Sequence, residues 1–211
     1  MLRLHLLRHG QTDASRANRF SGEMDPPLNA TGLAMAEAFA ARWGAEKWAA
    51  IYASPLQRAR QTAEPTAKRA GLEIQIEPGL REIAYGEWDG RLEAEVEAAD
   101  HDRFKTWSEH PGWNAPPGGE SGAQIAARAL AAIQNIRARH AEGNVLVVSH
   151  KATLRVLLCC ILGVDLDEFR RRVDQKVCGL SIVDWKKAGP MLTRMGDVSH
   201  LPPELLAGDG T

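Results

Sequence analysis

The sequence predicts an α/β fold with a mostly parallel central sheet, and three observations support this prediction. Short apolar runs alternate with segments of helical periodicity along the chain, which is typical of a sheet with helices on both faces. The run at residues 145–148 is continuous and rich in β-branched residues, as expected of a central parallel strand. The chain has 211 residues, of which 44% are hydrophobic, enough to bury a sizeable core in one domain.

Hydrophobic periodicity and turn signals place the individual elements. Strands are predicted at residues 1–7, 49–53, 73–77, 145–148, 180–185 and 191–195, and helices at residues 29–44, 55–70, 92–107, 121–140 and 151–162. Asn29 or Thr31 is suited to cap the helix at 29–44, Ser54 is suited to cap the next helix, and Pro55 is suited to its first turn. The predicted buried face of the helix at 29–44 consists of Leu33, Ala36, Phe39, Ala40 and Trp43.

These elements predict a three-layer α/β/α sandwich in one domain over residues 1–199, with a loose tail over residues 200–211. A small helical and loop cap is expected as an insertion at about residues 90–119, because the helical stretch 92–107 is too polar for the core. Residues 8–28 are predicted to be a long loop without its own secondary structure, and such loops are more often functional than idle.

Composition restricts the classes of function. The net charge of −1 gives no general attraction to nucleic acid or to an anionic membrane. The apolar runs are short and the chain opens directly into a strand, so we expect neither a membrane span nor a secretory leader. Three cysteines in apolar surroundings predict reduced thiols in a cytoplasmic protein. Motifs for metal or nucleotide binding do not occur in the sequence, so we expect no metal and no other cofactor.

Two predicted strands end at a histidine, with Arg8 and His9 after the first and His150 after the central one. Because the carboxyl ends of parallel strands lie along one rim of the sheet, both imidazoles are expected in one pocket. Arg58 lies one turn into a predicted helix whose N-terminus also favours anions, and Gly10 would let the backbone approach a ligand closely. The sequence therefore predicts a site for a tetrahedral oxyanion such as phosphate.

Several short blocks occur in a fixed order. They are LLRHGQT at residues 6–12, NRFSG at 18–22, SPLQRARQTA at 54–63, LRE at 80–82 with GEWDG at 86–90, PGGES at 117–121, and VVSH at 147–150 followed by Leu154 and Arg155. Together they resemble the histidine phosphatase superfamily, which includes cofactor-dependent phosphoglycerate mutases. The resemblance implies a phosphoglycerate mutase-like fold and an enzyme that acts on a small-molecule phosphate monoester.

The resemblance also implies roles for five catalytic residues. His9 would attack phosphorus and form a phosphohistidine. Arg8, Arg58 and His150 would hold the equatorial oxygens and neutralise charge in the transition state. Glu82 would protonate the leaving alkoxide and then deprotonate the water that attacks the phosphoenzyme.

The substrate is expected to contact the loop and the first signature. The residues predicted for this role are Gln11, Thr12, Asn18, Ser21 and Gly22. The sequence departs from the family pattern in two places: Ala14 and Ser15 replace a usual Trp-Asn, and Lys151 replaces the usual glycine after the second histidine. We hypothesise that Lys151 contacts a second anionic group of the substrate, and that Asn18 or Ser15 supplies the missing amide contact.

Other interpretations remain open at this stage. Arg58 is also compatible with an exposed helical charge, Glu82 with a solvated carboxylate, His150 with a helix cap, and Lys151 with a solvent-facing side chain. A phosphoglycerate mutase is favoured by the loop at 18–22, whereas the PGGES block and the short cap favour hydrolysis, because a mutase must shield its phosphoenzyme from water. A non-catalytic phosphate-binding module is a further alternative. A homodimer is compatible with the sequence.

Overall fold

The computed structural model describes residues 1–206, and a six-stranded sheet forms its centre. The strands are β1 (Leu2–Arg8), β2 (Trp48–Ala53), β3 (Ile74–Ile76), β4 (Gly143–Ser149), β5 (Leu180–Lys186) and β6 (Gly189–Asp197). Their order across the sheet is β3-β2-β4-β1-β5-β6. Strands β1 to β4 are parallel to one another. Strand β5 pairs antiparallel with β1, and β6 pairs antiparallel with β5. The prediction of an α/β fold with a mostly parallel sheet is confirmed.

Helices cover both faces of the sheet. They are α1 (Asp13–Arg16), α2 (Ala30–Trp43), α3 (Gln57–Ala70), α4 (Glu93–Ala99), α5 (His101–Glu109), α6 (Gly122–Arg139), α7 (Lys151–Leu162), α8 (Phe169–Arg172) and α9 (Pro203–Leu206). Successive side chains of β4 point to opposite faces of the sheet and so pack in two different cores. Val145 and Val147 pack with α6 and α7, whereas Leu146 and Val148 pack with α2 and α3. One core lies on each face of the sheet, between the sheet and the helices that cover that face. The sheet and the two groups of helices are the three layers of the sandwich.

The central pairing of β1 with β4 positions the site. Their register places Arg8 opposite Ser149, so the residues that follow, His9 and His150, leave the sheet side by side. Both strands are buried on both faces because they are interior in the sheet. The rim at their carboxyl ends is therefore held by the most protected part of the fold.

The helix at 29–44 is capped by Asn29 and not by the alternative Thr31, since the Asn29 side chain accepts a hydrogen bond from Gly32 N. The prediction that Leu33 faces the core is wrong: it is 48% exposed, because it lies in the first turn at the edge of the buried face. Met35 is buried instead. A Cβ on Gly10 would lie 2.6 Å from the Gly32 carbonyl oxygen, so the missing side chain lets the segment after β1 pack against α2 as well as allowing any approach to a ligand.

The third helix does not begin at Pro55. It begins at Gln57, whose N–H donates to Asp25 Oδ1 at 2.6 Å, so the loop before α2 supplies the cap expected from Ser54. The hydroxyl of Ser54 accepts a long hydrogen bond from Leu56 N at 3.3 Å, before the helix begins, and its shorter contact is with His150 Nε2 at 2.7 Å. A tertiary contact has thus replaced the local capping signal.

Three further predictions need correction. The loop at 8–28 contains the short helix α1, which Thr12 and Ser15 cap reciprocally. The helical stretch at 92–107 is two helices, separated at Asp100, whose carboxylate caps α5. The tail is not loose over residues 200–206, because His200 and Leu201 are buried and α9 packs beside α2. Residues 207–211 lie outside the described residues.

The cap has an apolar cluster of its own, separate from the two cores. It joins Phe20 of the loop to Trp88, Val96, Phe104 and Trp107. The cap thereby binds to residues 17–28 and not only to the sheet. Within residues 1–206, no helix is long and apolar enough to cross a membrane.

Candidate active site

His9 and His150 lie at the carboxyl ends of β1 and β4, with ring centroids 5.1 Å apart. His9 is 5% exposed and His150 is fully buried. The structure thus brings together the two histidines that the strand pattern places on one rim. His9 faces a cavity of about 330 Å³, whereas His150 lies behind the cavity wall.

The orientation of His9 leaves one ring nitrogen available for chemistry. Its Nδ1 lies 2.7 Å from the Gly10 carbonyl oxygen, which can only accept, so Nδ1 carries the proton. Burial, followed by the charges of Arg58 and Arg8, holds the pKa of His9 well below its usual value. His9 is therefore neutral, and its Nε2 lone pair is unprotonated, which is the state required of a nucleophile.

Arg58 is almost fully buried, and its guanidinium ties the loop to the rim. Its Nη1 donates to Met24 O at 2.8 Å, and its Nη2 donates to Ser21 O at 3.0 Å and Gly22 O at 3.2 Å. Its Nε donates to His150 Nδ1 at 3.2 Å. The five N–H groups of the Arg58 guanidinium thus serve four protein acceptors. Arg58 also lines the cavity. The alternative of an exposed helical charge is excluded.

Glu82 enters the cavity from the segment that follows β3, and its carboxylate is held by the start of α7. Its oxygens accept from Ile83 N at 2.9 Å and from Ala152 N and Thr153 N at 3.2 Å each. The residue is 6% exposed, so the alternative of a solvated carboxylate is excluded. A carboxyl group fixed at the N-terminus of a helix suits proton transfer at a defined position.

The backbone around Glu82 is clamped from behind by an ion pair. Arg128 donates to the carbonyl oxygens of Gly79, Arg81 and Glu82 at 2.7–3.1 Å. Arg128 also forms a two-point contact with Glu120, at 3.0 Å for both pairs of atoms. The PGGES block therefore contributes Glu120 to the support of Glu82, which the sequence analysis did not foresee.

The loop at 17–28 is ordered by Asp89 as well as by Arg58. The Asp89 carboxylate accepts from Gly22 N at 2.6 Å and from Glu23 N and Met24 N at 2.9 Å each. A Cβ on Gly22 would lie 2.1 Å from Ile83 O, so glycine is required for this close packing. The GEWDG block thus orders the loop next to Glu82.

The residues predicted to contact substrate divide into two groups. Thr12, Asn18, Ser21 and Lys151 line the cavity, as does Ser15. Gln11 and Gly22 do not: Gln11 Oε1 accepts from Asn29 Nδ2 at 3.0 Å, and Gly22 is packed in the loop.

Two hydroxyls at the cavity differ in their availability. The buried Ser21 Oγ has no hydrogen-bond partner within residues 1–206, and other atoms of Ser21 line the cavity. The Ser15 hydroxyl is already engaged, because it donates to Thr12 O and accepts from Thr12 N, both at 2.9 Å.

The cavity is more cationic than the sequence pattern indicates. Arg8 lines it and donates from Nη1 to Gln175 O at 2.7 Å. Arg155 and Arg170 also line it, as do Arg19 and Glu93 from the loop and cap. Arg155 was detectable in the sequence, since it lies four residues after Lys151 on a predicted helix and shares its face. Arg170 had no local signal, because its helix is only four residues long.

An aromatic and apolar wall closes the cavity on the cap side. It consists of Phe20, Tyr85, Trp107 and Phe169. Trp107 therefore both packs in the cap and lines the cavity. Within residues 1–206, no three His, Cys, Asp or Glu side chains are grouped to hold a metal ion. The chemistry offered by the described side chains is a neutral imidazole, arginines for an oxyanion and a carboxyl group beside them.

Comparison with known proteins gives the family. Residues 4–198 match the histidine phosphatase superfamily, branch 1. Phosphoserine phosphatase 1 of Hydrogenobacter thermophilus is 36% identical over 169 residues, which cover 80% of each chain. A probable phosphoglycerate mutase of Photorhabdus laumondii is 36% identical over 207 residues, which cover 95% of each.

Solved structures agree with this match. Bacillus stearothermophilus YhfR has a TM-score of 0.89 and 32% identity, with 95% of this chain and 99% of that chain covered. A mycobacterial glucosyl-3-phosphoglycerate phosphatase has a TM-score of 0.85 and 27% identity, with 92% and 98% covered. The matched region includes both histidine blocks and Glu82. This chain belongs to branch 1 of the histidine phosphatase superfamily.

Proposed function

We propose that this protein hydrolyses small phosphate monoesters through a phosphohistidine on His9, without a metal ion. The single observation that carries the proposal is the state of His9, which lines one cavity with Arg8 and Arg58: its imidazole is neutral, and Gly10 O holds its Nδ1, so Nε2 is the nitrogen left for attack. Such a cavity favours a phosphate dianion, and the neutral imidazole supplies the nucleophile.

The reaction proceeds in two displacements. His9 Nε2 attacks phosphorus in line, the N–P bond forms, and the bond from phosphorus to the ester oxygen breaks. Glu82, in its protonated form, gives its proton to the leaving oxygen and releases an alcohol. Water then attacks the phosphohistidine, Glu82 takes the proton from this water, and inorganic phosphate leaves with His9 restored.

Arg8 and Arg58 bind the equatorial oxygens and offset the charge that develops in the transition state. His150 is proposed to act through Arg58, because both of its ring nitrogens already have protein partners. Thr12, Asn18 and Ser21 are proposed to contact the remainder of the substrate from the cavity wall. Gln11 and Gly22 are proposed to support that wall from behind.

Hydrolysis is favoured over mutase activity by the mouth of the cavity. Asn18 and Arg19 line the cavity and are exposed, so water has a path to the phosphoenzyme. A mutase must exclude that water. The names of the relatives include both activities, and the phosphoserine phosphatase makes a phosphorylated amino acid a reasonable first substrate to test. We also infer a cytoplasmic location, supported by three free cysteines.

The test is release of phosphate from a panel of monoesters in the presence of EDTA. Wild type is compared with His9→Ala and with His101→Ala, a control that removes an exposed histidine of the cap. We expect EDTA-resistant hydrolysis in wild type and in the control, and loss of about three or more orders of magnitude in His9→Ala. An alkali-stable phosphoenzyme should be trapped in wild type and in the His101→Ala control, but not in His9→Ala.

Each alternative has its own outcome. Activity that EDTA abolishes, or that survives in His9→Ala, would contradict the proposal. Interconversion of 2- and 3-phosphoglycerate without net phosphate release would establish the mutase instead. Phosphate-ester binding without either reaction would indicate a binding module.

A further inference from the structure

We propose that the cavity contains a second anion-binding subsite, formed by Lys151, Arg155 and Arg170, that selects phosphate monoesters carrying another anionic oxygen group. The inference rests on the proposed function, since it concerns the same cavity. It adds a specificity that neither the family match nor the relatives assign to these three residues.

The three side chains form a group distinct from the phosphate site. Lys151 and Arg155 are separated by one turn of α7, so they share a face of that helix. Arg170 comes from α8, which packs against α7. All three line the cavity that also contains His9, whereas the proposed phosphate ligands Arg8 and Arg58 come from β1 and α3.

These cations have unused capacity in the structure. The Lys151 ammonium makes no hydrogen bond or ion pair within residues 1–206. The buried Arg155 Nε has no hydrogen-bond partner there, and Arg155 Nη2 lies 3.7 Å from Asp174, a side chain that is 66% exposed. A pair this long, with an exposed carboxylate, neutralises little of the Arg155 charge.

Arg170 is held in place without being neutralised fully. Its guanidinium carbon lies 4.1 Å from the centroid of the Trp107 ring, and its Nη2 lies 3.4 Å from the exposed Glu93 carboxylate. The stacking fixes the plane of the guanidinium beside the cavity. An anion that enters can therefore meet a guanidinium that is already oriented, which lowers the entropic cost of binding.

The charge of the cavity wall points to more than one anionic group. Among the described residues that line it, six are cationic (Arg8, Arg19, Arg58, Lys151, Arg155, Arg170) and two are carboxylic (Glu82, Glu93). A phosphate monoester carries a charge of only about −1.5 to −2 at neutral pH. The cationic excess therefore exceeds what one phosphoryl group neutralises, and the surplus lies on the side of α7 and α8.

The position of Lys151 sharpens this argument. It is the first residue of α7, where the helix dipole and the neighbouring Arg8 and Arg155 all oppose its charge. The pKa of Lys151 is lowered to about 7, mainly by burial and then by the charges of these two arginines. The charge of Glu82 acts in the opposite direction. A bound anion would relieve this repulsion, so the subsite gains by being occupied.

The cavity volume of about 330 Å³ limits the ligand to a small metabolite. A carboxylate and a second phosphate share the required chemistry, and matched esters can distinguish them. The carboxylate arm compares O-phosphoserine with O-phosphoethanolamine and 3-phosphoglycerate with glycerol 3-phosphate. The phosphate arm compares fructose 1,6-bisphosphate with fructose 6-phosphate.

The measurement is the ratio of kcat/KM within each pair, in wild type and in Lys151→Met. We expect wild type to prefer the more anionic ester of at least one arm by about tenfold or more, and Lys151→Met to lose most of that preference. Lys105→Met, which removes an exposed lysine of α5, should retain the wild-type ratio. A ratio near one in wild type, or one unchanged by Lys151→Met, would overturn the proposal.

Binding provides a second measurement that does not depend on turnover. Calorimetric Kd values for the same pairs are measured on His9→Ala, alone and combined with Lys151→Met or Arg155→Gln. We expect the preference for the more anionic ester in His9→Ala and a loss of about tenfold in the combined variants. Hydrolysis without this preference would refute the subsite alone, whereas preferential binding without hydrolysis would refute the proposed function alone.

Discussion

Arg58 Nε lies 3.2 Å from His150 Nδ1, and this contact determines which ring nitrogen of the neutral imidazole carries the proton. A guanidinium N–H can only donate, so Nδ1 accepts and the ring proton lies on Nε2, 2.7 Å from Ser54 Oγ. Burial, followed by the charge of Arg58, holds the pKa of His150 well below its usual value. These contacts support the proposal that the second histidine is a neutral group that orients Arg58.

Replacing Arg58 with lysine tests this arrangement. Lysine keeps a charge but loses the planar fork that reaches His150 and the loop carbonyls together. We expect kcat/KM for phosphate esters to fall by about 10²-fold, because both charge placement and loop order are lost. The matched control is Arg60→Lys on the exposed face of the same helix, which should behave as wild type. An Arg58→Lys enzyme whose kcat/KM lies within about threefold of the wild-type value would refute the role.

Removing the Glu120 carboxylate should destabilise the protein. Glu120→Ala leaves the charge of Arg128, 13% exposed, without its partner and frees Ala84 N. We expect the free energy of unfolding to fall by about 3 kcal/mol, measured by urea denaturation. The control is Glu37→Ala, which breaks an exposed pair with Arg69 and should cost less than about 1 kcal/mol.

The effect of Glu120 should also depend on pH. Burial opposes its ionisation, but the hydrogen bond and charge of Arg128 outweigh burial and place the pKa of Glu120 below its ordinary 4.5. A carboxyl group whose pKa is depressed on folding stabilises the protein above its unfolded pKa. The stability difference between wild type and Glu120→Ala should therefore be complete at neutral pH and shrink as pH falls below 4.5. A difference that is constant down to the acid transition would contradict this.

The proposed subsite predicts a pH-dependent preference in the free enzyme. Lys151 has a pKa of about 7, so it is charged below that pH and neutral above it. The kcat/KM ratio for O-phosphoserine over O-phosphoethanolamine should fall as pH rises through 7. The phosphate pKa largely cancels in this ratio, because both esters contain the same group.

Lys151→Arg is the matched variant for this experiment. Arginine stays charged throughout the range, so the ratio should become independent of pH. A ratio in Lys151→Arg that still falls near pH 7 would assign the titration to another group. The charged groups that act on Lys151 are Arg8 on β1, Arg155 on α7, Arg170 on α8 and Glu82.

Local patterns predicted the strands and most helices well, since they depend on periodicity and caps. The buried run of β4 was predicted correctly, and the cap of α2 is Asn29, one of its two predicted candidates. Local signals failed where a distant residue provided the contact. Ser54 did not cap α3, because Asp25 caps it and His150 takes the Ser54 hydroxyl. The tail was expected to be loose, but Leu201 has a core position that no local pattern indicates.

The sequence by itself determined the fold class and the pairing of His9 with His150, because parallel strands end on a common rim. It also supplied the resemblance that singled out Arg58 and Glu82. Only the tertiary structure decided which atoms face which: the His9 tautomer, the contacts of Arg58, and the clamp of Arg128 and Glu120 behind Glu82. The physical reason is that hydrogen bonds and burial depend on partners far apart in the chain, and spacing along one strand or helix contains no information about them.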